Sequence, residues 1–169
     1  LILLLIVASA FFSSAETALT AASEPQIRQL AKTGNKQAIR VERLRHDHEK
    51  LISTILIGNN AVNVLASAIA TSAAIALTGD SGVVLATLFM TVVLVLCAEV
   101  LPKSYAFNNA DKFSLKIALT VQILVFLLTP LSWAVRSIVV FMLGTPDSDT
   151  DKREEELRGL IDLHVNETD

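Results

Sequence analysis

A single carboxylate lies inside a long apolar stretch, and a proline follows it three residues later. The stretch from Val83 to Ala98 is almost wholly apolar and long enough to begin crossing a bilayer, and it leads into Glu99 and Pro102. An ionisable side chain at membrane depth is costly and indicates a functional site. Because Pro102 has no backbone N–H, the carbonyl of Ala98 loses its helical partner. Two hard oxygens, one of them charged, predict the start of a cation site.

Two other apolar stretches carry oxygen-bearing side chains at a matching depth. The spans predicted from length and hydropathy are residues 1–22, 51–77 and 83–107. Ser13 lies nine residues from the end of its span that adjoins basic residues, and Asn59 and Glu99 each lie eight residues from theirs. At about 1.5 Å per residue, all three are roughly 12–14 Å from the same face. The spacing predicts that hydroxyl, amide and carboxylate oxygens from three helices share one level.

The ligand types limit the ion that such a site would hold. Carboxylate, amide and hydroxyl oxygens are hard ligands and favour Mg²⁺, Ca²⁺, Mn²⁺ or Na⁺. The first histidine is His46, and Cys97 is two residues from Glu99 and therefore on another helix face. Binding through imidazole or thiolate is thus disfavoured. The alternative, in which these polar groups only hydrogen-bond the helices together, would leave an ionised Glu99 without a cation partner.

The first span has further polar residues besides Ser13. Ser9, Ser13 and Thr17 are spaced by four and share a face, which suits close packing and hydrogen bonding against another membrane helix. Glu16 lies beside that face, and packing alone does not explain a carboxylate there, so it is a further candidate ligand.

The segment between the first two spans is basic and amphipathic. The tripeptide Ser23-Glu24-Pro25 predicts a helix start, and Gly34-Asn35 an interruption. The basic residues are Arg28, Lys32, Lys36, Arg40, Arg43, Arg45 and Lys50. Their number places this segment on the cytoplasmic side and the N-terminus outside. A nucleic-acid partner is disfavoured for a basic run between two membrane spans.

The fourth hydrophobic stretch, Phe113 to Leu143, allows two interpretations. Thr129-Pro130 interrupts its centre, so it is either a kinked fourth span or two short helices forming a juxtamembrane hairpin at the cytoplasmic face. We favour the hairpin, because neither half is long enough to span alone. The fold expected is therefore an all-α membrane protein with three transmembrane helices and cytoplasmic amphipathic and juxtamembrane helices in each protomer.

Two domains are expected from this division. Residues 1–144 form a transmembrane ion-transport domain, and Leu1 lies within a membrane helix already under way. Residues 145–169 are a linker followed by an amphipathic helix, Lys152 to Val165, which we expect to be the first element of a truncated cytosolic region.

Four motifs, in this order, resemble a known family. They are Phe12-Ser13-Ser14-Ala15-Glu16-Thr17-Ala18-Leu19, Leu56-Ile57-Gly58-Asn59-Asn60-Ala61-Val62-Asn63, Ala98-Glu99-Val100-Leu101-Pro102-Lys103 and Glu154-Glu155-Glu156-Leu157-Arg158-Gly159-Leu160-Ile161-Asp162. The first three resemble the transmembrane domain of the CorC/CNNM (cyclin M-like) magnesium transporters. The fourth resembles the acidic helix that leads into that family's cytosolic paired CBS module.

The resemblance implies a homodimer in the lipid bilayer of a bacterial plasma membrane, with the C-terminus cytoplasmic and a CBS module in the full-length chain. It also implies Mg²⁺ export by alternating access, with Na⁺ as the coupling ion. By motif position it makes Ser13, Asn59 and Glu99 the ion ligands, with Ser14, Asn63 and the backbone near Pro102 as secondary candidates. Animal members lack the acid at the position of Glu16.

These expectations describe a transporter and not an enzyme, because no bond is made or broken. A membrane-embedded Mg²⁺ sensor or scaffold that regulates a partner is the alternative function. An intramembrane hydrolase is disfavoured, because the predicted spans contain no histidine ligand and no paired catalytic aspartates.

Overall fold

The computed structural model describes residues 1–143, and every regular element in that range is helical. The helices are α1 Ile2–Ala21, α2 Glu24–Lys32, α3 Lys36–His46, α4 His48–Thr78, α5 Gly82–Val93, α6 Leu101–Asn108 and α7 Ala110–Leu143. A 3₁₀ turn, Gly79–Ser81, precedes α5, and a π-helical segment, Leu94–Val100, joins α5 to α6. The all-α membrane fold is thus confirmed, whereas the linker and acidic helix predicted in residues 145–169 lie outside the described residues.

Four stretches are long and apolar enough to cross a membrane by length and composition. They are Ile2–Ala21, Lys50–Thr78, Gly82–Asn108 and Ala110–Leu131. The first three coincide within a few residues with the predicted spans. Length and composition do not distinguish a spanning helix from one that lies along the bilayer surface, so the three-span topology stays a prediction.

Helix α1 is central to the compact unit Leu1–Ser132. It packs against α4, α6 and the π-helical segment, and its side chains Ala15, Ala18 and Leu19 are buried. Small side chains allow such close approach of apolar helices. Gly58 of α4 shows how close this is, because a Cβ atom there would lie 2.7 Å from the Phe12 ring. A larger residue at position 58 would therefore require the Phe12 ring to move.

The basic segment forms a helical hairpin, α2–α3, with well-defined ends. Helix α2 ends at Lys32, and Gly34 follows it with a φ of +87°, in the left-handed region that favours glycine. The N–H of Asn35 donates to the carbonyl of Leu30, and the Asn35 side chain then caps α3. Arg45 of α3 donates to the carbonyl of Ala22 at the end of α1, where a cation complements the helix dipole. The helix start at Glu24 and the interruption at Gly34 agree with the sequence pattern.

Helix α7 differs from the sequence interpretation at Pro130. A hinge was expected there, but a single helix runs from Ala110 to Leu143 with Pro130 inside it. Proline removes one helical N–H, and the Thr129 hydroxyl donates to the carbonyl of Val125 one turn earlier, 2.5 Å away. The second compact unit begins at Trp133, and its described part, residues 133–143, is helical.

Within the first compact unit, α7 contacts the adjoining ends of two other helices. Near its start, Asp111 accepts a hydrogen bond from the backbone N–H of Ser23, which follows α1. Further along, Gln122 and Phe126 line a groove together with Lys50, at the start of α4. Buried side chains of the intervening turns, among them Ala118, join the core. Residues 110–129 of α7 therefore extend from the end of α1 to the start of α4.

Candidate cation site

Two buried oxygens lack a hydrogen-bond partner among the described residues. They are Ser13 Oγ on α1 and Asn63 Oδ1 on α4. Ser13 is fully buried, whereas Asn63 is half-buried with its amide oxygen enclosed. Most buried polar atoms in proteins are paired, and an unpaired hydroxyl or amide costs about 1–3 kcal/mol. Both oxygens belong to residues in the sequence-predicted ligand set.

Asn59 is held in place by a neighbour on α1. The Ser9 hydroxyl donates to Asn59 Oδ1 at 2.8 Å, and both side chains are buried. This bond joins α1 to α4 one turn from Ser13, and it leaves a second lone pair on Asn59 Oδ1. Ser9 was expected to hydrogen-bond neighbouring helices, and it does; its pairing with Asn59 in particular was not predicted. The structure thus brings Asn59 of α4 against the hydroxyl face of α1.

Glu99 lies in the π-helical segment, where it is half-buried. The N–H of Leu101 donates to the carbonyl of Leu96, five residues earlier, instead of four. If the same spacing continued, the N–H of residue 102 would donate to the carbonyl of Cys97, whereas in an α-helix it would donate to the carbonyl of Ala98. Residue 102 is a proline, which has no N–H to donate to either carbonyl. In the π-helical register the carbonyl left without a donor is therefore that of Cys97, whereas a free carbonyl at Ala98 stays a prediction; π-helical turns recur at functional sites.

Two secondary candidates already have protein partners. The Ser14 hydroxyl donates to the carbonyl of Phe11 at 2.9 Å, a local bond within α1. Glu16 Oε2 lies 3.3 Å from Lys103 Nζ, so its carboxylate forms an ion pair between α1 and α6. Glu16 therefore has a structural role that does not need a metal ion. The pair lies one turn from Ser13 along α1 and one turn from Glu99 along the third apolar stretch.

The backbone near Ser13 offers less than was expected. Helix α1 continues through Ser13, and its carbonyl accepts a hydrogen bond from the Thr17 hydroxyl at 3.2 Å. A free carbonyl is thus indicated near Pro102 but not near Ser13. Among the side chains that the structure describes, no group of three or more from His, Cys, Asp or Glu is placed to hold a metal ion. A site here would consist mainly of neutral oxygens around one carboxylate, Glu99.

Sequence reasoning missed three contributors to this region. Ser9 donates a hydrogen bond to Asn59, and Lys103 forms an ion pair with Glu16. The π-helical register leaves the carbonyl of Cys97 without a backbone donor. The signals for two of them were present, since Ser9 precedes Ser13 by one turn and Lys103 follows Pro102 directly. The π-helical register has no comparable signal in a single sequence beyond the proline itself.

Comparison with known proteins places the chain among membrane proteins. Residues 1–169 match the family described as cyclin M transmembrane N-terminal domain. The UPF0053 inner membrane protein YfjD of Escherichia coli is 38% identical over 159 residues, covering 90% of this chain and 37% of that protein. A UPF0053 protein of Haemophilus influenzae is 34% identical over 166 residues, covering 95% of this chain and 40% of its own length.

A plant protein shares the same region. A DUF21 domain-containing chloroplastic protein of Arabidopsis thaliana is 39% identical over 122 residues, covering 72% of this chain and 18% of that protein. The chain thus spans about two fifths or less of the length of these relatives.

Proposed function

The chain belongs to the cyclin M transmembrane N-terminal domain family, and we propose that it is the ion-conducting part of a magnesium transporter. It binds Mg²⁺ through oxygens inside the bilayer and exposes the ion alternately to the two sides. Export is driven by Na⁺ entry. The functional unit is a homodimer, and the longer protein carries a cytosolic CBS module. These properties follow from the motifs that the chain shares with the CorC/CNNM transporters.

The unpartnered Ser13 hydroxyl is the observation that carries this proposal. It is fully buried, lies one turn from the Ser9–Asn59 bond, and belongs to the helix that packs against the π-helical segment of Glu99. Leaving such a hydroxyl without a partner destabilises the folded protein unless a ligand completes its bonding. A cation held jointly by Ser13, Asn59 and Glu99 would do so.

The composition of the ligand set suits an ion that must leave again. Glu99 is the one carboxylate of the proposed set, and the other donors are a hydroxyl, an amide and backbone carbonyls. One negative charge does not neutralise Mg²⁺, which keeps binding weak enough for release. Mg²⁺ prefers six oxygens at about 2.0–2.1 Å and loses its water reluctantly, so several neutral oxygens must replace the hydration shell together.

The proposed membrane topology has three spans, with the N-terminus outside. The basic hairpin α2–α3 supports a cytoplasmic position for the ends of α1 and α4 that it joins. Helix α7 contacts those same two ends through Asp111 and through Gln122. A helix crossing the bilayer from Asp111 would have carried Gln122 about 16 Å away from that face. We therefore propose that α7, up to residue 129, lies at the cytoplasmic surface, in spite of its apolar composition and of the position of the Leu128 side chain beside Gly58.

Mg²⁺ flux in proteoliposomes tests the proposal. Vesicles containing the protein and an enclosed Mg²⁺-sensitive dye should show Mg²⁺ movement that depends on an opposing Na⁺ gradient. Asn59→Ala and Glu99→Gln should abolish it, while Asn60→Ala should not, because Asn60 is the adjacent asparagine on an exposed face. Mg²⁺ binding without flux in the wild-type protein would contradict transport and favour the sensor function.

Ion competition tests the coupling. Raising Na⁺ at constant ionic strength should weaken Mg²⁺ binding, because Na⁺ can occupy neighbouring oxygens such as that of Asn63. The same concentration of K⁺ should have no effect. Equal effects of the two salts would show screening only.

A further inference from the structure

A groove of about 280 Å³ lies where α7 meets the junction of α3 and α4. Arg43 and Lys50 line one part of it, and Val125 and Phe126 of α7 line another. Gln122 lies on the same α7 wall. None of Ser13, Asn59 and Glu99 lines the groove, and Asn59 lies about two turns further along α4. It belongs to no part of the cation site described above.

The charge in the groove favours an anion. Arg43 and Lys50 carry two positive charges, and Asp47 contributes one negative charge. The Asp47 carboxylate is partly engaged, because it accepts a hydrogen bond from the backbone N–H of Lys50 as the N-cap of α4. Among the described residues, Arg43 and Lys50 have no ion-pair partner. The groove therefore has a net positive charge, with donors available to a phosphate group.

The apolar wall continues onto an exposed face of α7. Leu119, Ile123 and Phe126 recur at helical spacing on one face, and all three are exposed, Phe126 by 83%. The opposite face of the same turns is in the core, where Ala118 and Val121 are buried. In a membrane protein, a cationic groove can bind an anionic lipid headgroup, and an adjoining exposed apolar helix face can bind the hydrocarbon tails of the same lipid.

The groove also lies at the depth that such a molecule requires. Lys50 is the last basic residue before the apolar part of α4, and Leu51, the next residue, also lines the groove. The change from charged to apolar lining therefore coincides with the end of a predicted span, which is where lipid headgroups lie. A volume of about 280 Å³ suits a headgroup and leaves the acyl chains outside, along α7.

We propose that this groove binds the headgroup of an anionic phospholipid, with Arg43 and Lys50 contacting the phosphate and the acyl chains lying on the exposed face of α7. The lipid would fasten α7 to the start of α4. The proposal does not depend on Mg²⁺ transport, because it rests on a different set of residues.

Native mass spectrometry of the detergent-solubilised protein tests the site. Titration with phosphatidylglycerol should give a bound lipid, whereas phosphatidylcholine at the same concentration should not. Each basic residue near an anionic headgroup contributes about fivefold in affinity, so Arg43→Gln with Lys50→Gln should weaken phosphatidylglycerol binding about 25-fold. The matched control, Lys32→Gln with Lys36→Gln, removes the same charge from the hairpin α2–α3 outside the groove, and its affinity should change less than twofold.

A variant with the opposite effect keeps the test independent of folding defects. Asp47→Asn removes the one negative charge in the groove, while asparagine still caps α4, so phosphatidylglycerol should bind more tightly, by about fivefold. Equal losses in the two double variants, or weaker binding by Asp47→Asn, would overturn the proposal. Displacement of the lipid by millimolar glycerol phosphate would also overturn it, since it would identify a site for soluble anions.

Discussion

At the scale of single residues, two serines on one face of α1 have different roles. Ser9 donates to Asn59, while Ser13, one turn later, has no partner among the described residues. Both are fully buried, so the difference does not come from exposure. Ser9 positions a neighbour, and Ser13 is available to a ligand.

The pair provides a matched experiment. Without Mg²⁺, Ser9→Ala should destabilise the protein by about 1 kcal/mol, because a buried interhelical hydrogen bond is lost. Ser13→Ala should leave the stability unchanged or raise it, because it removes an unsatisfied hydroxyl. With Mg²⁺ added, the Ser13 variant should show no gain in melting temperature, whereas the Ser9 variant should retain part of it. Thermal unfolding with and without Mg²⁺ measures both effects, and equal Mg²⁺ stabilisation of wild type and Ser13→Ala would contradict the assignment.

Glu16 is a second residue whose role can be decided by experiment. Its carboxylate is paired with Lys103, and both side chains are partly exposed, so the pair contributes at most about 1 kcal/mol. Glu16→Gln and Lys103→Gln should therefore cause similar small losses of stability and leave Mg²⁺ affinity within about threefold of wild type. Calorimetric titration checks this. Loss of Mg²⁺ binding in Glu16→Gln alone would make Glu16 a ligand.

At the scale of elements, the π-helical segment is the feature that positions Glu99. Its register differs from that of an α-helix, and Pro102 fixes the point at which the bonding pattern cannot continue. The sequence predicted an unpaired carbonyl here, because the chemistry of proline is local. It could not predict the change of register, which depends on the packing of the segment against α1.

Restoring the missing N–H should alter the site without unfolding the protein. In Pro102→Ala, residue 102 can donate again, so the segment can adopt the α-helical register and Glu99 turns away by up to about 100°. Mg²⁺ affinity should fall at least tenfold, while helical content by circular dichroism stays constant. Leu101→Ala, at the preceding exposed position, is the control and should bind Mg²⁺ normally. Unchanged Mg²⁺ affinity in Pro102→Ala would show that ion binding does not depend on the π-helical register.

Helix α7 shows where sequence patterns were insufficient. Pro130 indicated a break in the helix, and the length of the stretch indicated a candidate span. Neither signal predicts which parts of the protein the two faces of the helix contact. The structure has a continuous helix whose contacts with Ser23 and with the groove at Lys50 lie at adjoining ends of α1 and α4. By contrast, α1 and α4 could be placed within a few residues, because long apolar runs are the strongest signal that a sequence contains.

At the scale of the whole molecule, the account predicts which side of the membrane each segment faces. With Cys97 replaced by serine, a cysteine at Asn35 in the basic hairpin and one at Ser148 should be labelled by an impermeant thiol reagent from the same side. The reason is that the stretch from Phe113 to Leu143 is predicted not to cross the bilayer. Labelling in sealed right-side-out and inverted vesicles measures this. Opposite sidedness of the two positions would mean that α7 crosses the bilayer.

The sequence proposes members for the candidate site but not their bonding. Counting residues from the span ends predicts that Ser13, Asn59 and Glu99 share one level, because helices of known rise convert sequence distance to depth. Which oxygens are already paired depends on neighbouring helices, and only the structure separates Ser13 and Asn63, without partners in residues 1–143, from Ser14 and Glu16, which have them.

The most direct test is an anomalous difference map of crystals of the protein grown with Mn²⁺, which replaces Mg²⁺ at oxygen sites and scatters anomalously. We predict one strong peak inside the apolar region, contacted by Ser13 Oγ, Asn59 Oδ1 and a carboxylate oxygen of Glu99, and lost in crystals of Asn59→Ala. A peak confined to other residues, or a Ser13 hydroxyl bonded to protein in the ion-bound crystal, would contradict it.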